Sequence, residues 1–169
     1  MSDRVDQAME RRHFLKVAAA VAGSALSHPI LAQSDRAVLE VSGQLKASRT
    51  FTLADLQALG ATRLVTSTAW TDGTPEFEGV LARTVIDTLG PIGSDRVTAL
   101  ALNDYRTDIP LSDFHEFDVI FAWSMNGQML TRRDKGPLWI VYPRDAVPQL
   151  REERYENRWV WQLNRLIFP

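Results

Sequence analysis

The run 119-VIFAWSM-125, closed by Asn126-Gly127, is the strongest constraint on how this chain can fold. Six β-forming or apolar residues lead into the dipeptide that best accepts positive φ at both central positions of a two-residue turn, so an antiparallel hairpin is expected here. Similar short runs recur along the chain. Residues 37–43 alternate and stop at Gly43, residues 64–68 read as a strand, and 96–102 is followed by a turn and return over 103–111. The wholly apolar 138–142 is another strand, and 158–168 alternates, with Trp159, Trp161 and Leu163 on one face and Val160, Gln162 and Asn164 on the other.

Helical signals are fewer and shorter. Thr52 with Asp55 three residues on resembles a capping box, and Gly60 marks the stop of a helix over 52–60. Val80, Leu81, Val85 and Leu89 give a second amphipathic helix over 80–90, entered through Phe77-Glu78-Gly79, and 112–117 is a helical turn. The polar stretch 144–158 reads as a surface loop. Many short strands with a few short helices predict an α+β fold, a single domain built on a mixed β-sheet.

Composition narrows the chemistry. The chain has no cysteine, which excludes disulfides, thiolate nucleophiles, iron–sulfur clusters and Cys-ligated zinc. Beyond His13 and His28 the only histidine is His115, too few for a His-rich metal site or a Ser-His-Asp triad. No basic stripe interleaved with aromatics supports nucleic-acid binding. Residues 33–130 hold 7 basic and 13 acidic side chains and residues 131–169 hold 8 and 5, so the charge of any site must be argued locally.

Residues 11-RRHFLK-16, the small-residue apolar run 17–26 and 29-PILAQ-33 match a twin-arginine export signal. The apolar run is too short to span a bilayer. A signal over residues 1–32, cleaved after Ala32, leaves the domain 33–169 in the periplasm, an oxidising compartment that suits a chain without thiols.

Several motifs in order carry a resemblance: Trp70-Thr71-Asp72-Gly73, Phe77-Glu78-Gly79-Val80, 103-NDYRTDIPL-111, 125-MNGQML-130, 134-DKGPLWIVYP-143 and 158-RWVWQLNRL-166. Together they resemble the sulfite-oxidase-like molybdopterin-binding fold, from about residue 36 onward. In catalytic members of that family a cysteine thiolate at the end of the strand corresponding to 64–68 ligates molybdenum. The equivalent segment here is Thr66-Ser67-Thr68, and Lys135 stands where relatives often show a histidine. An unactivated Ser67 hydroxyl is a poor ligand for a high-valent metal near neutral pH.

The resemblance therefore implies a noncatalytic periplasmic protein that binds a reduced pterin, with no metal. It would relay the ligand signal to the periplasmic domain of a membrane receptor enzyme controlling cyclic-di-GMP. The alternative is a molybdopterin-dependent oxidoreductase that lacks the usual cysteine ligand.

A pterin ring asks for a carboxylate against its adjacent N–H donors, a cation or amide for its carbonyl, and an aromatic wall for its faces. Asp72, Asp104 and Asp134 are candidates for the first role. Arg132, Lys135 and Arg144 are candidates for the carbonyl or a phosphate, and Trp70, Tyr105, Trp123 and Tyr142 for stacking. Ser67 lies on the same lip. Turn formation by Asp72-Gly73 and Asn103-Asp104, core packing by Trp123 and solvation of 132-RRDKG-136 are the competing structural uses.

Overall fold

The computed structural model describes residues 36–169. The export signal expected at 1–32 lies outside them. Ten strands run in chain order: β1 Ala37–Gly43, β2 Arg49–Thr52, β3 Thr62–Val65, β4 Glu76–Leu81, β5 Arg96–Ala101, β6 Arg106–Pro110, β7 Ile120–Met125, β8 Gln128–Met129, β9 Trp139–Val141 and β10 Leu163–Phe168. Three short helices, α1 Leu53–Ala58, α2 Ala82–Leu89 and α3 Leu111–Glu116, punctuate them.

The strands form two five-stranded sheets rather than one. The first has the order β2-β1-β10-β5-β6 and is mixed, because β1 and β10 pair in parallel with Val41 opposite Leu166. The second, β3-β4-β7-β8 with β9 on β7, is antiparallel throughout. Leu39 and Val41 of β1, Val97 and Ala99 of β5, and Leu166 of β10 turn into one hydrophobic core with Phe77, Phe121 and Ile140 of the second sheet. Burial of such side chains stabilises the fold by ~1.5–3 kcal/mol each, before the entropy of ordering is subtracted.

Local chemistry sets several boundaries. The capping box at α1 is formed: the Asp55 N–H donates to Thr52 Oγ1 at 3.1 Å, and the Thr52 N–H donates to Asp55 Oδ2 at 2.8 Å. Asn126 and Gly127 take φ of 50° and 74°, as the β7–β8 hairpin requires.

Four expectations are corrected. The helix read over 80–90 begins only at Ala82, and Phe77-Glu78-Gly79-Val80, which leads into it, lies in β4, whose pairing with β7 shifts register at Glu78/Gly79. The strand read over 64–68 is β3, which ends at Val65, so Thr66, Ser67 and Thr68 form a loop. The strand read over 158–168 begins only at Leu163; Trp159 and Val160 are both buried, and Gln162 turns the chain with φ of 53°. Residues 144–158 lie mostly exposed at the surface, as expected, but are not an irregular loop. They contain the 3-10 turns Pro148–Arg151 and Glu153–Arg158, anchored by the buried Leu150 and Tyr155, two apolar residues spaced too irregularly for a helix or strand period to show.

The segment before β10 joins the two sheets. The Ile140 N–H donates to the Val160 carbonyl and the Leu163 N–H to the Leu138 carbonyl, both at 2.9 Å. This stitching carries Trp159 and Trp161 across to the loop that follows β3.

Candidate functional site

Four tryptophans meet at that junction. The ring centroid of Trp70 lies 5.3 Å from Trp161 and 5.9 Å from Trp159, and Trp139 lies 6.5 Å and 6.4 Å from the same two. All four contacts are tilted or edge-on, the arrangement aromatic quadrupoles favour. Trp70, Trp159 and Trp161 wall a cleft of about 290 Å3 whose rim is formed by Asn103, Tyr105, Glu156 and Asn157. A cleft that is mostly aromatic with a few polar groups on its edge is the usual form of a small-molecule site. A broader depression of about 440 Å3 over β5 and β6, lined by residues such as Asp95, Arg96, Arg106 and Asp108, has no aromatic wall.

The rim is held from behind. The Tyr105 hydroxyl donates to the Asn157 carbonyl at 2.7 Å, which joins the β5–β6 turn to the second 3-10 turn. That turn is anchored in turn by a buried network. Asp113, from α3, accepts from Arg158 Nη1 at 2.6 Å and from the Tyr142 hydroxyl at 2.9 Å. Burial first, and the Asp113 charge second, push the Tyr142 phenol well above its ordinary value.

On the lip, Thr66 and Ser67 are clasped to Asp145. The Ser67 N–H and hydroxyl donate to the two Asp145 carboxylate oxygens at 2.6 Å and 2.7 Å, and the Asp145 N–H donates to Thr66 Oγ1 at 3.2 Å. These bonds, the hydroxyl's first, hold the Asp145 carboxyl below its ordinary value of 3.8. The Trp70 N–H donates to Thr68 Oγ1 at 3.0 Å, so the same loop that is clasped at Ser67 orients Trp70.

Of the residues singled out from the sequence, Trp70 and Tyr105 share the cleft. Asp104, with φ of 65°, shapes the turn between the rim residues Asn103 and Tyr105 without lining it. Asp72 is exposed in the turn before Gly73. Arg132, Asp134 and Lys135 occupy the loop beside Trp161: the Gln162 side-chain amide donates to the Arg132 and Asp134 carbonyls at 2.9 Å and 3.1 Å. Lys135 Nζ lies 5.6 Å above the Trp139 ring and 3.2 Å from the Asp134 carboxylate, outside the cleft lining. Ser67 is bound to Asp145 as described, with Arg144 Nη1 at 3.5 Å from its hydroxyl. Trp123 and Tyr142 are core residues.

Sequence reasoning passed over Asn103, Glu156 and Asn157 as site residues, and read Trp159 and Trp161 only as one face of an alternating strand. Trp161 is half-buried and faces the cleft. A tryptophan pair next to an Asn and a Glu was the available signal, masked by the apparent alternation.

Comparison with known proteins supplies the family. The family described as "Oxidoreductase molybdopterin binding domain" matches residues 25–147, well over half of the chain. The chain belongs to that family. No curated protein matches it. Among solved structures it is similar to the sulfane dehydrogenase SoxCD from Paracoccus pantotrophus, with a TM-score of 0.61 and 21% identity over 82% of this chain. This domain spans 39% of that longer chain, and the likeness establishes the fold. The sulfite-oxidase-like α+β architecture expected from the motifs is thus the observed one. Glu156, Asn157, Trp159 and Trp161 lie beyond the residues matched to the family.

The cleft fits the ring of the cofactor that this family implies. Its aromatic wall suits flat faces, and Glu156, Asn103 and Asn157 suit an edge of N–H donors and a carbonyl. A metal would find no thiolate in the chain, and the described residues contain no group of three or more His, Cys, Asp or Glu able to hold one. A metal brought in by the pterin's own dithiolene needs no such cluster, so the ring is the part of the cofactor that these residues can be tested against.

Proposed function

We propose that this domain holds a pterin of the molybdopterin type in the tryptophan cleft, as the cofactor-binding part of an oxidoreductase whose metal has no protein thiolate. The observation that carries this reading is the cleft walled by Trp70, Trp159 and Trp161 in a chain of the molybdopterin-binding family. A bound molybdenum–pterin would supply the redox chemistry. The chain's own contribution is to stack the ring, hold its polar edge and exclude water from its faces.

A second reading is favoured by one specific contact. The Ser67 hydroxyl donates a hydrogen bond to the Asp145 carboxylate, so in this arrangement it is a neutral donor rather than an anionic ligand. That suits a noncatalytic protein binding a reduced pterin in the periplasm and relaying its presence to a membrane receptor enzyme of the cyclic-di-GMP type.

Molybdenum and pterin content of the full chain matured in its native host separates the two. Stoichiometric molybdenum with pterin supports the oxidoreductase. Pterin without molybdenum supports the relay protein, and a chain that carries no pterin and binds no added tetrahydropterin sinks both.

A further inference from the structure

Glu156 is the only charged residue among those that line the cleft. It enters the site from the second 3-10 turn, in a segment whose sequence looks like solvated connection. Its carboxylate makes no ion pair among the described residues. The nearby cations are committed elsewhere, Arg158 to Asp113 at 2.6 Å and Arg154 to Glu152 at 2.9 Å. The three aspartates that the sequence offered for the same role do not line the cleft.

A free carboxylate beside an aromatic wall is an acceptor-only group available to whatever stacks there. The ring that leaves such a carboxylate satisfied is one presenting two adjacent N–H donors on one edge, as a 2-amino-4-oxo pteridine does through its amino group and the neighbouring ring N–H. Bidentate, charge-assisted bonds of this kind are the strong ones. A ring with a second carbonyl in place of the amino group would set oxygen against oxygen.

We infer that Glu156 is the residue that selects the ligand's ring, by accepting from the amino and ring N–H edge of a 2-amino-4-oxo pteridine while the wall of Trp70, Trp159 and Trp161 packs against the ring. This rests on the reading of the cleft as the pterin site, and names within it the group that sets ring specificity. Because Glu156 is exposed and its side chain anchors nothing, Glu156→Gln should fold as the wild type does.

The test is anaerobic titration calorimetry on the full chain with two probes, 6-methyltetrahydropterin and its 2,4-dioxo counterpart. The wild type should prefer the amino compound by about 10-fold or more, since a site built to accept N–H donors rejects an analogue lacking one. Glu156→Gln should lose about 10-fold or more in affinity for the amino compound and little or nothing for the dioxo compound. Equal binding of the amino compound by wild type and variant would overturn the role of Glu156 and leave the cleft assignment standing. Loss of binding in Trp70→Ala with no effect of Glu156→Gln would likewise overturn the role of Glu156 alone. A wild type that binds neither probe would overturn the cleft assignment and the role of Glu156 together.

Discussion

Arg158 donates from Nη1 to Asp113 Oδ2 at 2.6 Å, and through this largely buried bond the turn that carries Glu156 and Asn157 is tied to α3. The Tyr142 hydroxyl completes the acceptor's coordination. Asp113→Ala would strand a guanidinium and a phenol together. Breaking one partner out of a buried pair costs about 3–5 kcal/mol, and the partial exposure of Arg158 puts the expectation at the lower end of that range. Urea unfolding should show the loss as a shifted midpoint with an unchanged slope. A loss below about 1 kcal/mol, the level of an exposed pair, would show that the tie is not structural.

Alkaline stability should report the same network. Burial, and then Asp113, raise the folded-state phenol of Tyr142 well above 10.0, so the unfolded chain releases this proton while the folded chain still holds it. The folded state then binds more protons, and stability falls as pH rises through about 10. Melting temperatures measured between about pH 9 and pH 11 should decline more steeply for the wild type than for Tyr142→Phe. Parallel declines would contradict the assignment.

The clasp between Ser67 and Asp145 has the opposite pH dependence. Its carboxyl is depressed below 3.8 by the Ser67 hydroxyl and N–H, so the stabilisation is fully present above that value and is lost as pH falls through the lower folded-state value. Asp145→Asn should therefore be less stable than wild type near neutrality, with the difference vanishing as the solution is acidified below about pH 4. Thermal unfolding across that range measures it; a difference independent of pH would assign the cost to packing instead.

Trp70→Ala should separate binding from folding. Trp70 is half-buried, and removing it takes away a stacking surface worth about 1–3 kcal/mol for a flat ring, or roughly 5-fold to 150-fold in the dissociation constant of a tetrahydropterin. Titration calorimetry reads the affinity, and circular dichroism checks that the fold survives. Unchanged affinity would move the ligand away from this cleft.

Gly79→Ala tests why a glycine sits in the centre of β4. A β-carbon there would collide with the Phe121 carbonyl oxygen and stand 2.6 Å from the Ala122 Cα, both backbone atoms of β7 that cannot swing aside. Overpacking against backbone should cost at least ~1–3 kcal/mol, seen as a lowered urea midpoint. A neutral result would mean that β4 and β7 do not approach so closely.

What the sequence determined by itself was whatever depends on neighbours in the chain. The Asn126-Gly127 hairpin, the Thr52–Asp55 capping box and the amphipathic α2 follow from local dihedral preferences and from side chains that reach three or four residues away. The absence of cysteine was equally decisive, because a missing thiolate is missing in any fold. Trp70 and Tyr105 could be singled out as aromatics at a strand end and in a turn, and both line the cleft.

Only the tertiary structure decided which groups meet. Ser67 finds its acceptor 78 residues away in Asp145, and Tyr105 finds the Asn157 carbonyl 52 residues away. Nothing periodic marks either pair. The first sheet is likewise completed only by the parallel pairing of β1 with β10 at opposite ends of the described chain, a contact set by core burial and not by any turn. Residues 144–158 looked solvated because most of their side chains are polar, yet Leu150, Tyr155 and the Arg158–Asp113 bond hold the segment down. That docking brings Glu156 to the tryptophans, and Asp72, Asp104 and Asp134, closer to the motifs in sequence, stay outside the cleft lining.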